Sequence, residues 1–291
     1  MNDILANYGL GTAQLSGGYG AFGNGSEICD RELEAMLDLA QKSGIATIDT
    51  AEAYGEAESR LGMFDLSQFN LVTKIRTADL FKKFRNPCFQ RTIEQSLTRL
   101  KTDKVQTILL HDAAYLNANQ IFDALKQLQK IRDLALCQKI GVSLYDPSQI
   151  FEIAHGNNVD VIQIPASAID QRILHGDIIS FCKKKNIEIH TRSVFLQGAL
   201  LNSKKLPRHL TKWRTIFEAW ETWLERKMLS PLEGALSVAN FFVTAGVSKI
   251  IVGATSLEEL EAIISAAMTE PRAPCNNIKC DDHQLIHPFN W

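Results

Sequence analysis

The chain has 291 residues, of which 45% are hydrophobic and 22% are charged, and its formal net charge is −2. This composition is typical of a folded protein with a sizeable core, and it offers no basic surface for nucleic acid or an anionic membrane. The first residues lack the basic and apolar regions of a secretory signal, and the six scattered cysteines do not form a disulfide framework. We therefore expect a cytoplasmic protein of enzyme size, with neither a nucleic-acid nor a membrane partner.

Short runs of apolar and β-branched residues recur along the chain and predict eight strands. The predicted strands are Tyr8–Thr12, Ala46–Asp49, Phe69–Ile75, Val105–His111, Lys139–Ser143, Val159–Ile164, Ile187–Arg192 and Lys249–Val252. These runs are continuously apolar rather than alternating, which is typical of a parallel sheet that is covered on both faces.

Helical patterns lie between these strands. The first, over residues 30–44, repeats apolar residues along one stripe and ends at Gly44, a residue type that commonly ends helices. Similar patterns cover residues 87–100, 119–133 and 257–268. Eight strands alternating with eight helical segments predict an α/β protein with the (β/α)8 TIM-barrel fold.

No linker or change in composition divides the chain, so we expect a single domain over residues 1–291. The segment from about Leu201 to Val247 holds two helical stretches, which predicts an extra helix before the last strand. The residues after Met268 follow the eighth unit and are expected to form a C-terminal tail that packs outside the barrel.

The stretch GGYGAFG contains Gly18, Gly20 and Gly23 at the spacing of the dinucleotide-binding fingerprint. In that fingerprint the helix begins inside the glycine-rich turn, so that its N-terminus faces the pyrophosphate. Here the helical pattern starts only near Asp30. We therefore interpret these glycines as a loop after the first strand and not as a phosphate-binding turn.

Polar side chains end three consecutive predicted strands. Asp49 ends the second strand, with Tyr54 five residues later; Lys74 lies near the end of the third, and His111 ends the fourth. Each alone has a structural explanation, such as a helix cap for Asp49 or a satisfied core position for His111. Together they converge on the C-terminal mouth of a barrel, where TIM-barrel enzymes carry their catalytic groups.

These four residues, in the segments DTAEAYG, TK and LLH, resemble the catalytic tetrad of the aldo-keto reductases. GLGTAQL, GVS, VIQIP, RSVFLQG and IIVGATSLEEL follow in the order of that family and extend the resemblance over nearly the whole chain. The resemblance implies a nicotinamide-dependent oxidoreductase that acts on the CH–OH group of donors with NAD(P) as acceptor. In the reductive direction, such an enzyme would convert a small aldehyde or ketone to an alcohol, and sugar-derived carbonyls are among the candidate substrates.

The resemblance also implies a role for each of the four residues. Tyr54 would protonate the carbonyl oxygen, and Lys74 beside it would lower the tyrosine pKa, since a cation favours the phenolate. Asp49 would hold Lys74 charged and oriented. His111 would position the carbonyl and stabilise the developing negative charge.

Cofactor contacts are implied at the ends of the remaining strands. The implied cofactor-binding residues are Thr12, Ser143, Gln163, Arg192, Ser193, Phe195, Gln197, Gly198, Gly253, Ala254 and Thr255. Ser143 and Gln163 correspond to positions that bind the nicotinamide carboxamide, and the loop from Ser193 to Gly198 corresponds to the one that covers the pyrophosphate. NADP (NADPH) is the cofactor of the family, with NAD as the alternative, because Glu259 stands close to where a 2′-phosphate would bind.

Two other functions stay open on the sequence. Lys74 at a strand end is also the residue that a Schiff-base lyase would use, and a non-catalytic or redox-sensing subunit could keep the same fold. The loop residues Lys82, Lys83 and Arg85 suit either a solvated surface or an anionic substrate.

The C-terminal segment contains Cys275, Cys280, His283 and His287, whose pairs are spaced like zinc ligands. The two pairs lie too close together to enclose the hairpin and helix of a zinc finger. We therefore expect no metal site here and interpret the segment as a packed tail.

Overall fold

A computed structural model describes residues 4–16, 28–83, 88–287 and 291. Its eight strands follow the predicted order: β1 (Tyr8–Gly11), β2 (Thr47–Asp49), β3 (Asn70–Ile75), β4 (Val105–Leu110), β5 (Cys137–Ser143), β6 (Val161–Pro165), β7 (Glu188–Arg192) and β8 (Lys249–Gly253). Each strand pairs in parallel with the next, and β8 pairs with β1, so the sheet closes into a barrel. The predicted (β/α)8 fold is confirmed.

Both faces of the barrel wall are buried, which explains the continuously apolar strands. Val72, Leu109 and Val161 form a small apolar cluster of their own, separate from the larger core. Because all strands are parallel, their C-terminal ends meet at one mouth of the barrel, and the polar residues that end them come together there.

The described helices surround this barrel. They are α1 (Asp30–Ser43), α2 (Ala57–Leu61), α3 (Ala78–Lys83), α4 (Phe89–Leu100), α5 (Ala118–Asp133), α6 (Ile150–Ile153), α7 (Ile178–Lys185), α8 (Arg214–Lys227), α9 (Pro231–Ala245), α10 (Leu257–Ala266) and α11 (His283–Ile286). The α1 helix buries the predicted stripe and ends at Gly44, whose φ of 91° is the left-handed conformation that glycine adopts without strain.

The alternation of strands and helices is less regular than predicted. Two helices, α3 and α4, connect β3 to β4, and the helix after β5, α6, has only four residues. The predicted extra helix before the last strand is confirmed, since α8 and α9 both lie between β7 and β8. Ser230 begins α9 with a capping box and Pro231 in the first turn, which explains why a separate helix starts there.

The C-terminal tail packs outside the eight-fold unit, as predicted. Ile278, Leu285 and Ile286 are fully buried, and the N–H of Cys280 donates to the carbonyl of Ile169 at 3.0 Å, in the loop after β6. Among the helices of the described ranges, none combines the length and apolar character needed to cross a bilayer. The GGYGAFG stretch and Arg85 lie outside the described residues.

Candidate active site

A buried ion pair joins β2 and β3 at the mouth of the barrel. Asp49 is the last residue of β2, and Lys74 lies one residue before the end of β3. Nζ of Lys74 is 2.5 Å from Oδ1 of Asp49 and donates to the carbonyl of Thr50 at 2.9 Å. Only 1% of the lysine side chain and 5% of the aspartate side chain are exposed. Charges buried to this extent are tolerated because each compensates the other.

Gln163 on β6 holds the second oxygen of the same carboxylate. Its Nε2 donates to Oδ2 of Asp49 at 2.6 Å, across the interior of the barrel and between residues 114 positions apart. Oε1 of Gln163 is buried without a hydrogen-bond partner in the described structure. The resemblance implies a cofactor contact for Gln163, but nothing local in the sequence indicates its contact with Asp49.

Tyr54 lies beside this ion pair, in the loop between β2 and α2. Nζ of Lys74 is 5.1 Å from the centroid of the Tyr54 ring. The ring of His111 meets the Tyr54 ring edge to face, with 5.6 Å between the centroids and 85° between the planes. The structure therefore brings together all four residues that the sequence places at the strand ends.

The expected lowering of the Tyr54 pKa is not found. Although the residue is partly open to the groove at the mouth, burial raises its pKa above the usual value, and the charge of Asp49 raises it further. Arg192 lowers the pKa, but by less than these two effects raise it. The expectation fails because it took account of the Lys74 charge and not of burial, which penalises the phenolate most. Tyr54 is a protonated hydroxyl at neutral pH.

His111 follows β4 directly, and its backbone N–H donates to the carbonyl of Ile75 at 2.9 Å. Burial, together with the positive charges of Lys74, Arg192 and Arg76, lowers the pKa of His111 to about 3. The imidazole is therefore neutral at physiological pH. Its Nδ1 is buried without a hydrogen-bond partner in the described structure.

A groove of roughly 350 Å³ runs from Tyr54 and Asp49 along the loops that follow β1, β7 and β8. Most of the cofactor residues implied by the resemblance line it: Thr12, Arg192, Ser193, Phe195, Gln197, Gly198, Gly253 and Thr255. The other three, Ser143, Gln163 and Ala254, are buried in the barrel wall and interior and do not line it. Gln14 and Glu259 line the groove as well.

The loop after β7 has an unusual backbone where it lines the groove. Ser193, Leu196 and Gln197 have φ values of 62°, 48° and 51°, in the left-handed region that side chains other than glycine disfavour. Strained residues of this kind concentrate at ligand-binding sites, where the surrounding structure holds them. This geometry agrees with a binding role for the loop.

Arg192 does not stand alone at the end of β7. Its guanidinium carbon is 4.5 Å from the centroid of the Tyr145 ring, and its Nη2 donates to the carbonyl of Leu144 at 3.3 Å. The aromatic partner comes from the loop after β5, and no local sequence pattern indicates it. The guanidinium is thus held at the groove wall, where its charge lowers the pKa of both Tyr54 and His111.

At the far end of the groove, Glu259 in the first turn of α10 binds Thr255 in the loop that precedes the helix. Its Oε2 accepts from the N–H of Thr255 at 2.7 Å and from the Thr255 hydroxyl at 2.8 Å. Ser256 caps α10, since its hydroxyl accepts from the N–H of Glu259 at 3.1 Å. A Cβ at Gly253 would overlap the Gln14 amide, so a larger residue here would displace the end of that side chain from the groove. The N–H and hydroxyl of Thr255 and the N–H of Glu259 therefore already have partners.

The rings of His283 and His287 in the C-terminal segment pack against each other, and the His287 ring packs against Tyr145 in the loop after β5. The ring centroids of His283 and His287 are 4.6 Å apart, and those of His287 and Tyr145 are 5.2 Å apart. Within the ranges that the structure describes, no three metal-ligating side chains gather at one point.

Comparison with known proteins identifies the family. The sequence profile of the Aldo/keto reductase family matches residues 8–272, and the chain belongs to this family of oxidoreductases. D-arabinose 1-dehydrogenase from Saccharomyces cerevisiae is 28% identical over 124 residues, a stretch that covers 39% of this chain and 36% of the yeast protein. The chain therefore matches only about a third of that relative's length.

Two solved structures share the fold. An aldo-keto reductase from Bacillus halodurans in its holo form has a TM-score of 0.71 at 17% identity, covering 96% of this chain and 95% of that one. An aldo-keto reductase from Bombyx mori in complex with NADP has a TM-score of 0.64 at 17% identity, covering 91% and 85%. At these identities the likeness concerns the fold alone.

Proposed function

We propose that the protein reduces an aldehyde or ketone to an alcohol with NAD(P)H and that Tyr54 is the proton donor. The observation that carries the proposal is the cluster of Tyr54, Lys74 and His111 at the mouth of the barrel, where it opens into a groove long enough for an extended cofactor. Residues 1–291 are proposed to form a single domain, because the family profile covers residues 8–272 and the tail packs on the barrel.

The residues at the nicotinamide end of the groove suit such a cofactor. Gln163 lies below the groove rather than on its lining, and its Oε1 has two acceptor sites that are unpartnered in the described structure, one of which suits an N–H of a carboxamide. The strained loop from Ser193 to Gly198 would hold the pyrophosphate. When it is bound, the nicotinamide supplies the hydride for the carbonyl carbon.

The residues of the chain supply the proton and the orientation. The Tyr54 hydroxyl gives its proton to the carbonyl oxygen as negative charge develops there, and an alkoxide is a far stronger base than the phenolate that remains. The Lys74 ammonium lies close enough to stabilise that phenolate, and Asp49 with Gln163 keeps the ammonium in place. Solvent then returns a proton to Tyr54.

His111 is proposed to act as a neutral hydrogen-bond donor to the carbonyl oxygen. Its low pKa excludes an imidazolium at physiological pH, so it cannot serve as a charged acid. A fixed neutral donor directed at a developing oxyanion still lowers the barrier, because it needs no reorganisation during the reaction.

NADPH is proposed as the cofactor, with NADH as a usable alternative. Membership of the family and the NADP complex of the Bombyx mori neighbour support NADPH. The pair formed by Glu259 and Thr255 opposes strong selection, because it places a carboxylate where a 2′-phosphate would need cations. We therefore expect both cofactors to bind with similar affinity.

The substrate is proposed to be a small carbonyl compound, with sugar-derived carbonyls the first to test. The support is indirect, since the yeast relative is named for arabinose. Lys82 and Lys83 at the end of α3 are exposed, which agrees with a solvated surface.

The Schiff-base alternative is disfavoured by the ion pair. Lys74 is bound to Asp49 and donates to the carbonyl of Thr50, and a lysine held in this way stays cationic and is a poor nucleophile. Borohydride in the presence of a keto substrate should leave Lys74 unmodified. Modification of Lys74 would favour the lyase.

The proposal is tested by titrating the protein with NADPH and NADH, following nicotinamide fluorescence, and then by offering a panel of aldehydes, ketones and aldoses. We expect cofactor oxidation with at least one carbonyl and its loss in Tyr54→Phe. Tight cofactor binding without turnover on any carbonyl would instead support the non-catalytic subunit.

A further inference from the structure

A histidine lies inside the barrel, below the cluster at the mouth. Gln163 and His190 are paired in register on β6 and β7. Gln163 reaches Asp49 across the barrel, so its side chain points inward, and residues paired in register point to the same side of a sheet. His190 is 3% exposed and therefore occupies the barrel interior, where TIM barrels usually carry bulky aliphatic residues.

The two residues share an unmet hydrogen-bonding need. Oε1 of Gln163 and Nδ1 of His190 are buried without a hydrogen-bond partner in the described structure, and Nε2 of His190 lies 3.6 Å from Oε2 of Glu188, beyond hydrogen-bond distance. Buried polar groups are almost always paired, either with protein or with bound water, because leaving them unpaired is costly. These two groups lie on register-paired residues that face the same interior, where one bound water can serve both.

A charged pair holds His190 from the other end of the barrel. Glu188 lies two residues earlier on β7 and so on the same face, with its Oε2 3.6 Å from Nε2 of His190 and its Oε1 2.6 Å from Nζ of Lys139. His190 and Lys139 hold the pKa of Glu188 at about 2. Because its pKa is this low, Glu188 is ionised at neutral pH and attracts the imidazole. The other charged group beside it, Lys249, is paired with His190 on β8 and donates to the carbonyl of Ala6 at 2.5 Å.

We propose that His190 is a positioning residue for the proposed reduction: directly or through one bound water, it hydrogen-bonds Oε1 of Gln163 and fixes the amide in the orientation that donates to Asp49. A glutamine amide has a donor end and an acceptor end. If the amide turned over, its oxygen would face the carboxylate and repel it. The inference rests on the proposed function, because what His190 secures is the support of Lys74 beside Tyr54.

Three variants separate this role from packing. His190→Leu removes both ring nitrogens, whereas His190→Gln retains a donor and an acceptor in the barrel interior. Val161→Ala is the matched control, because Val161 lies two residues before Gln163 on the same face of β6 and belongs to the apolar cluster of the interior. Val161 is paired with Glu188, one layer below Gln163 and His190, so the control disturbs the neighbouring packing without removing a polar atom.

The expected result is a loss of kcat with binding preserved. We expect His190→Leu to lower kcat about tenfold, as misplacement of a catalytic group does, while the cofactor Kd and the carbonyl KM change less than about threefold. His190→Gln should recover most of the loss, and Val161→Ala should keep kcat within about twofold of the wild type. Unchanged kcat in His190→Leu would overturn the proposal, as would an equal loss in Val161→Ala.

A crystal structure gives a test that does not depend on activity. In the wild type, a ring nitrogen of His190 should contact Oε1 of Gln163 directly or share one ordered water with it, and in a folded His190→Leu variant the Gln163 amide should lose its single orientation. Neither contact in the wild type would overturn the proposal even if His190→Leu fails to fold. A wild type with this contact but no carbonyl reduction would contradict the proposed function alone.

Discussion

The mouth of the barrel and the far end of the groove both carry a carboxylate, but the two carboxylates are held in different ways. Asp49 contacts Lys74 on β3 and Gln163 on β6, so three strands fix one buried charge. Glu259 contacts Thr255 four residues earlier, at the exposed start of α10. The first arrangement cannot change without disturbing the barrel, whereas the second is local and replaceable.

This difference predicts where substitutions will matter. Removing one partner of a buried charge leaves the other uncompensated in a low-dielectric interior, which is costly for stability as well as for chemistry. Exchanging an exposed loop residue changes the affinity for one part of the ligand and little else. We therefore expect substitutions at the buried end of the groove to lower activity and stability more than substitutions at the exposed end.

The largest effect is expected for Tyr54→Phe, which removes only the proton donor. Carbonyl reduction should fall by roughly 10²–10⁴-fold, the usual contribution of a general acid, while cofactor affinity stays nearly unchanged. Steady-state rates and a fluorescence titration measure the two quantities. Tyr115→Phe is a suitable control, because Tyr115 is 65% exposed in the loop after β4. Wild-type turnover in Tyr54→Phe would remove Tyr54 from the mechanism.

Lys74→Met should reduce activity by a comparable factor and also destabilise the fold. It leaves Asp49 without its partner in the interior, at a cost of about 3–5 kcal/mol in the free energy of unfolding. Denaturant unfolding measures this cost. In a folded variant, the alkaline limb of the pH profile for alcohol oxidation should move to higher pH, since the charge that stabilises the Tyr54 phenolate is gone. An unmoved limb would contradict that role.

Cofactor choice should respond only modestly. We expect the wild type to favour NADPH over NADH by less than about tenfold, or 1.4 kcal/mol. Glu259→Arg removes the carboxylate and adds a cation for a 2′-phosphate, so it should shift preference towards NADPH. Glu258→Arg is the matched control, since it adds the same charge one residue away in the first turn of α10. A wild-type preference for NADPH far above tenfold would contradict this reading of Glu259.

The smallest effect on activity is expected from pH, because His111 stays neutral over the physiological range. Because its pKa is lowered to about 3, the imidazole stays neutral from pH 8 down to about pH 4, and kcat/KM should show no step near the usual histidine pKa. The unfolded chain binds more protons than the folded one between about pH 6.5 and pH 3, so stability should fall as pH falls through this range. A step near pH 6.5 that disappears in His111→Gln would show that the charged form takes part.

Much of this architecture follows from local patterns in the sequence. Each apolar run became a strand within about two residues, and the barrel then brought Asp49, Tyr54, Lys74 and His111 together because parallel strands end at one mouth. These predictions succeed because they depend on periodicity and on the order of elements. The resemblance to the family added the proposed roles of these four residues, which periodicity alone does not predict.

The contacts that the sequence did not predict join distant segments. Gln163 binds Asp49 from 114 residues away, and Arg192 packs on Tyr145 from another loop. The raised pKa of Tyr54 has the same origin, since it depends on burial and on the Asp49 charge. Such contacts are set by three-dimensional packing, which leaves no local periodicity to detect.

The most direct test of the central claim is to follow the transferred hydride. The wild-type protein is incubated with NADPH that carries deuterium at C4 of the reduced nicotinamide ring and with a carbonyl that it turns over, and the alcohol is analysed by mass spectrometry. For the wild type, we predict alcohol that carries deuterium on the former carbonyl carbon. For Tyr54→Phe with cofactor bound, we predict almost no labelled alcohol in the same time. An alcohol formed without deuterium from either C4 position, or an equal yield of labelled alcohol from both proteins, would contradict the account.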